Sequence, residues 1–189
     1  MNLSFPRVPL LVWILIPTVV IIGLGVWFFS KGSGTVNESK LDSNRPEAVS
    51  ASVEGTVDYD IVGRNHMAQG TSGSGYNSNP PSSGPHWPAA VKNGVYADSL
   101  PDEQLIHNLE HGHIWIAYKS DVSDDVKSKL SEIVGEEDWK VVMAPRDQND
   151  TAIAIVAWGR VLKMDEPDYD KIRSFIRTYR NRGPERTPE

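Results

Sequence analysis

Residues 63–98, GRNHMAQGTSGSGYNSNPPSSGPHWPAAVKNGVYAD, run for 36 positions with neither a helical nor a strand period. A compact domain seldom holds a structureless loop longer than about 15 residues, and one that persists usually binds or catalyses. Gly, Pro, Ser and Asn dominate the stretch, each a turn former. Yet Tyr76, His86, Trp87, Val95 and Tyr96 give it anchors that a solvated linker lacks. The fold must therefore pack this loop against a core supplied by its flanks.

Those flanks are periodic. TVDYDIV, from Thr56, alternates as a first strand, and SLPDEQLIHNLEH, from Ser99, reads as a helix with Ser99 as cap, Pro101 in the first turn and Leu105, Ile106 and Leu109 inward. Gly112 ends that helix, and HIWIAY at 113–118 is a buried strand. DVSDDVKSKLSEIVG at 121–135 is an amphipathic helix burying Val126, Leu130, Ile133 and Val134. WKVVMAP and TAIAIVAWGR are two further strands joined by RDQND. EPDYDKIRSFIRTYRNRG closes as a helix with Tyr169, Ile172, Phe175, Ile176 and Tyr179 on one stripe and Gly183 near its end. The order β-loop-α-β-α-β-β-α predicts an α+β domain, a mixed sheet covered by helices, and the same order admits a thioredoxin-like fold, although no redox cysteine is present.

Ahead of the domain, VPLLVWILIPTVVIIGLGVWFF at 8–29 is about 22 residues without a charge, the length of a hydrocarbon core about 30 Å thick. Secretory h-regions are shorter, about 7–15 residues, so residues 1–30 are expected to be a single-pass anchor in the lipid bilayer. Arg7 and the α-amino group before it, against Lys31 and Lys40 after it, place the N-terminus inside and the domain on the extracytoplasmic side of the cell membrane. Residues 31–54 have a flexible linker's composition, 55–183 form the domain, and 184–189 read as a disordered tail. Setting aside Arg7 and Lys31, 17 basic residues face 25 acidic ones, which argues against nucleic acid as a partner. The absence of cysteine rules out disulfides and thiolate metal sites.

All five histidines, His66, His86, His107, His111 and His113, fall between residues 66 and 113. On a helix, His107 and His111 lie at i and i+4 on one face, with Glu110 a step around, so both can ligate one metal ion. A loop laid over the end of that helix would add His66 and His86, while His113, beyond Gly112, could complete the set or point away. Imidazole suits zinc, copper, iron and nickel. Met67 beside His66, together with Met143, adds soft thioethers, which puts copper first and zinc second. Glu110 serves either as a ligand, as an orienting partner or as a base.

Two other readings compete. HNLEH matches H-x-x-E-H, in which two histidines hold zinc and the glutamate is the general base of a hydrolase, but that motif needs a continuing helix and a downstream ligand, whereas Gly112 breaks this one. A non-catalytic module would instead use Tyr76, Trp87, Tyr96 and Trp115 to line a pocket for a partner, such as another envelope protein.

YNSNPPSSGPHWP, then GVYADSLPDEQLIHNLEHG and a hydrophobic strand, resemble the bacterial family known as domain of unknown function 3105. The resemblance runs from about Asp58 to Trp158 and implies a membrane anchor, an extracytoplasmic domain and motif histidines at His66, His86, His107 and His111 around Glu110. The family usually carries a small residue where this chain has His113. No activity comes with the name.

Overall fold

The computed structural model describes residues 52–185 and 187–188. The apolar run at 8–29, the expected anchor and most of the linker lie outside the described residues, and among those described no helix is long and apolar enough to cross a membrane.

Six strands form one mixed sheet: β1 (Thr56–Asp58), β2 (Gly94–Val95), β3 (Ile114–Tyr118), β4 (Val141–Pro145), β5 (Ile153–Ala157) and β6 (Arg160–Met164), in the order β1-β6-β5-β3-β4-β2. β3, β4 and β2 run parallel, while β3–β5, β5–β6 and β6–β1 are antiparallel. Three helices complete the domain: α1 (Asp102–Glu110), α2 (Asp124–Glu136) and α3 (Tyr169–Tyr179). This is the expected α+β class, and the narrower thioredoxin-like reading is not established by it. Two strands escaped the sequence reading. β2 has only two residues, and TAIAIVAWGR, read as one strand, ends at Ala157, where Trp158 and Gly159 turn the chain back into β6.

Strand parity sorts the core into two layers. Ile114, Ile116, Val141, Met143, Ile153, Ile155 and Leu162 face α2 and α3, packing on Leu130, Ile133, Ile172, Phe175 and Ile176. Each such side chain taken from water stabilises the fold by roughly 1.5–3 kcal/mol before entropy is counted. Trp115, Ala117, Val142, Val156 and Val161 face the other way, onto Leu105, Ile106 and Leu109 of α1 and onto Tyr59, Ile61, Tyr76, Val91 and Tyr96. The irregular stretch is thus a cover for one face of the sheet, sharing that face with α1.

Helix ends follow local chemistry with one exception. Ser123 caps α2 by accepting from the Val126 N–H, and Asp168 caps α3 through Lys171. Ser99 does not cap α1: Pro101 holds that position without a side-chain bond. The first turn of α1 is tied outward instead. Arg146 forks onto Asp102 with two bonds of 2.8 Å, and the Glu103 carboxylate accepts from the Gly73 N–H at 2.7 Å. At the other end Gly112 takes φ +81°, stopping the helix after Glu110 as expected.

The segment after α3 returns to this helix end. Asn181 N–H donates to Gly112 O at 2.7 Å and Glu185 N–H to Glu110 O at 3.0 Å. Lys140, fully buried, donates from Nζ to His111 O, Asn181 Oδ1 and Thr187 O at 2.7–2.9 Å. Part of the stretch expected to be a disordered tail, at Glu185 and Thr187, is therefore bonded to the body of the domain.

Candidate metal centre

The loop delivers its two histidines together. Gly84 N–H bonds Gly63 O, His86 N–H bonds Asn65 O and Met67 N–H bonds His86 O, a short parallel bridge that sets His66 beside His86. The YNSNPPSSGPH motif serves to hold this bridge down. Tyr76 OH donates to Pro85 O, Asn77 to Asp60 O, Asn79 to Gln148 O and Asp150, and Arg146 to Asn79. Buried Ser82 accepts at its carbonyl from Gly159 N–H, locking the loop onto the β5–β6 turn. His86, with no exposed surface, packs edge-on against Trp158 at 6.4 Å.

The helix supplies the other half. His107 and Glu110, at i and i+3, present one face of the last turn of α1 to the bridge. Donor atoms of His66, His86, His107 and Glu110 all lie within 4.8 Å of one another. Oε2 of Glu110 is the centre of the group, 3.0 Å from His86 Nε2, 3.6 Å from His66 Nε2 and 3.8 Å from His107 Nδ1. Three of the four are buried, and the His66 side chain is 46% exposed.

Protons are constrained here. His86 Nδ1 lies 2.8 Å from Gly84 O, and since a carbonyl only accepts, that nitrogen carries the hydrogen. Nε2 then faces the Glu110 carboxylate with a lone pair unless a cation, a proton or a metal ion, sits between them. Burial raises the Glu110 carboxyl, but the His86 hydrogen bond and the His86, His107 and His66 charges outweigh it, and its pKa is lowered. Burial, then His111 and His86, pushes His107 down to about 4, leaving its ring neutral near pH 7. Its Nδ1 is buried and forms no hydrogen bond among the described residues.

The remaining sequence candidates fall elsewhere. His111 occupies the C-cap of α1, sets its ring 4.4 Å from that of His107 at a tilt of 56° and turns Nε2 to Glu185 Oε2 at 3.5 Å, so it stands beside the cluster and not within it. The H-x-x-E-H arrangement, which needs His107 and His111 on one ion, is not what the chain assembles. His113 is buried with Nδ1 unbonded among the described residues, and it lines a cavity together with His107 and His111. Met67 contributes its backbone N–H to the bridge, and Met143 belongs to the core layer under α2 and α3, on the opposite face of the sheet from α1. Of the aromatics, Trp115 is core with Tyr76 and Tyr96 packed against its layer, while Trp87 Nε1 bonds Thr71 O and Tyr96 OH bonds Lys92 O.

Asn108 was missed in the sequence. Fully buried, it accepts from Val91 N–H at 2.9 Å and donates to Val91 O at 2.8 Å, pinning the 90–93 loop as a backbone strand would. The signal was present: a carboxamide inside an apolar helical run is either exposed or bonded.

Residues 66–189 match the family described as Protein of unknown function (DUF3105). The chain belongs to that family. The match starts at His66 and takes in all four clustered residues and the segment that returns to α1. No curated protein and no solved structure matches the chain.

Proposed function

We propose that the domain binds a divalent transition-metal ion through His66, His86, His107 and Glu110 and serves to hold or hand on that ion. The observation that carries this is the spacing around Glu110 Oε2, 3.0, 3.6 and 3.8 Å to three imidazole nitrogens. A tetrahedral ion with bonds of about 2.0–2.1 Å needs neighbouring donors roughly 3.3 Å apart, which these distances bracket. A structural explanation would give each clustered ring its own carbonyl, and among the described residues only His86 Nδ1 has one, leaving its Nε2 for the cluster.

Three imidazoles and a carboxylate suit zinc, which imposes no geometry of its own. Copper loses one of the two thioethers that favoured it, since Met143 is a core residue on the far face of the sheet. The solvent-facing His66 favours an exchangeable ion over one sealed in for stability. The uncharged run at 8–29 supports a membrane tether, with the metal-binding domain outside the cytoplasm.

The test is elemental analysis of the full chain, made without a histidine tag and loaded in turn with zinc and copper. One equivalent of zinc is expected in the wild type, with affinity lost at least 100-fold in Glu110→Gln and His86→Ala. A wild type that retains no metal after loading ends the proposal.

A further inference from the structure

Next to the cluster lies a cavity of about 420 Å3 whose wall includes His107, His111, His113, Lys92 and Asn93. That volume suits a small organic ligand, at the lower end of the range of about 300–1,000 Å3 typical of such sites. Its polar lining sets one cation, the Lys92 ammonium, among imidazoles and a carboxamide that can offer N–H groups, with no carboxylate among the lining residues. The wall is also preformed. Asn108 holds both backbone groups of Val91, and Tyr96 OH holds Lys92 O at 2.9 Å, so the loop bearing Lys92 is fixed before any ligand arrives.

His107 joins the cavity to the metal centre. Its Nδ1 faces Glu110 and is buried, so the 8% of the side chain that is exposed belongs to the rest of the ring. An imidazole bound to metal through one nitrogen carries its hydrogen on the other and donates it to a carboxylate, a carbonyl or water. His111, on the same wall, already has a carboxylate, that of Glu185, 3.5 Å from its Nε2.

We infer that this cavity binds a small organic carboxylate, held by the Lys92 ammonium and by the outward N–H of His107, alongside the metal ion. The proposal rests on the metal reading at one point, the placement of the His107 proton on Nε2. Ligand binding would then strengthen the basicity of a metal ligand, coupling occupancy of the cavity to the hold on the ion.

Benzoate is the probe, titrated into the full-length, zinc-treated chain and followed by backbone and imidazole NMR, with zinc stoichiometry measured separately. The expected result is a saturable shift confined to residues 90–94 and the rings of His107 and His111. Lys92→Ala, a change at an exposed side chain, should weaken it at least tenfold, and the isosteric but uncharged benzamide should give no saturation. Absence of saturation with benzoate, or equal binding of benzamide or to Lys92→Ala, overturns the inference. If the chain takes up no zinc yet binds benzoate with the Lys92 dependence, the metal reading falls and the carboxylate site stands.

Discussion

Replacing Gly183 by alanine tests how the end of α1 is held. Gly183 is outside the left-handed region, so alanine strains no backbone angle and only space is at issue. A Cβ there would overlap the Glu110 carbonyl oxygen and stand 2.5 Å from the Gly112 nitrogen, both backbone atoms that cannot swing aside. The returning segment must retreat by roughly 1 Å to restore ordinary contact distances. Retreat stretches the Asn181 to Gly112 and Glu185 to Glu110 hydrogen bonds and loosens the Lys140 ammonium from Asn181 and Thr187. Two neutral bonds at about 0.5–1.5 kcal/mol and a charged set at about 1.5–3 kcal/mol give a loss of about 2–4 kcal/mol after partial relaxation. Against a typical total of about 5–15 kcal/mol this is easily read from urea unfolding of the full chain. Amide exchange at Asn181 and Glu185 should accelerate in step. A variant within about 0.5 kcal/mol of wild type, with both amides still protected, would refute the reasoning.

His111→Ala should leave zinc affinity within about threefold of wild type while Glu110→Gln loses at least 100-fold, about 2.7 kcal/mol, because only Glu110 sits among the converging donors; equal losses in a zinc competition titration would put His111 back in the ligand set. Asn108→Ala removes two hydrogen bonds from the Val91 backbone and should destabilise the domain by about 2–3 kcal/mol, with proteolytic nicking near residues 90–93 as the local readout. Burial, then Lys140, pushes His113 down to about 4. Its folded pKa lies below the unfolded value of about 6.5, so its share of stability is complete above pH 6.5 and is lost as pH falls toward 4, by up to about 3 kcal/mol. Urea titrations of the metal-free chain at pH 7, 5.5 and 4 should show that loss shrinking in His113→Gln, and an unchanged slope would contradict it.

Three of the clustered residues, His66, His86 and His107, were legible because all five histidines are crowded into one quarter of the chain, whereas Glu110 stood only among the second-rank candidates. The separation of His111 from the cluster has a physical cause. Helical spacing puts both i+3 and i+4 on the face of His107, and what separates them is long-range: the bridge meets Glu110, and Glu185, 74 positions beyond His111, takes the other side. No local pattern carries that information. Met143 is different, since strand alternation already set it with Val141 on the face opposite Val142, and the parity could have been read. The class of the fold followed from periodicity, whereas β2 is too short to show a period and the Trp158–Gly159 turn was hidden in an unbroken apolar run.

The hydrogen bond from His86 Nδ1 to Gly84 O has a kinetic consequence. It freezes the ring, so the Nε2 lone pair already points at Glu110 and little rotational entropy remains to be lost when an ion arrives. His66, nearly half exposed across the bridge, keeps freedom to swing. Ion escape then begins with one bond breaking at the surface, and the dissociation rate should respond to His66 far more than to the rigid floor beneath it.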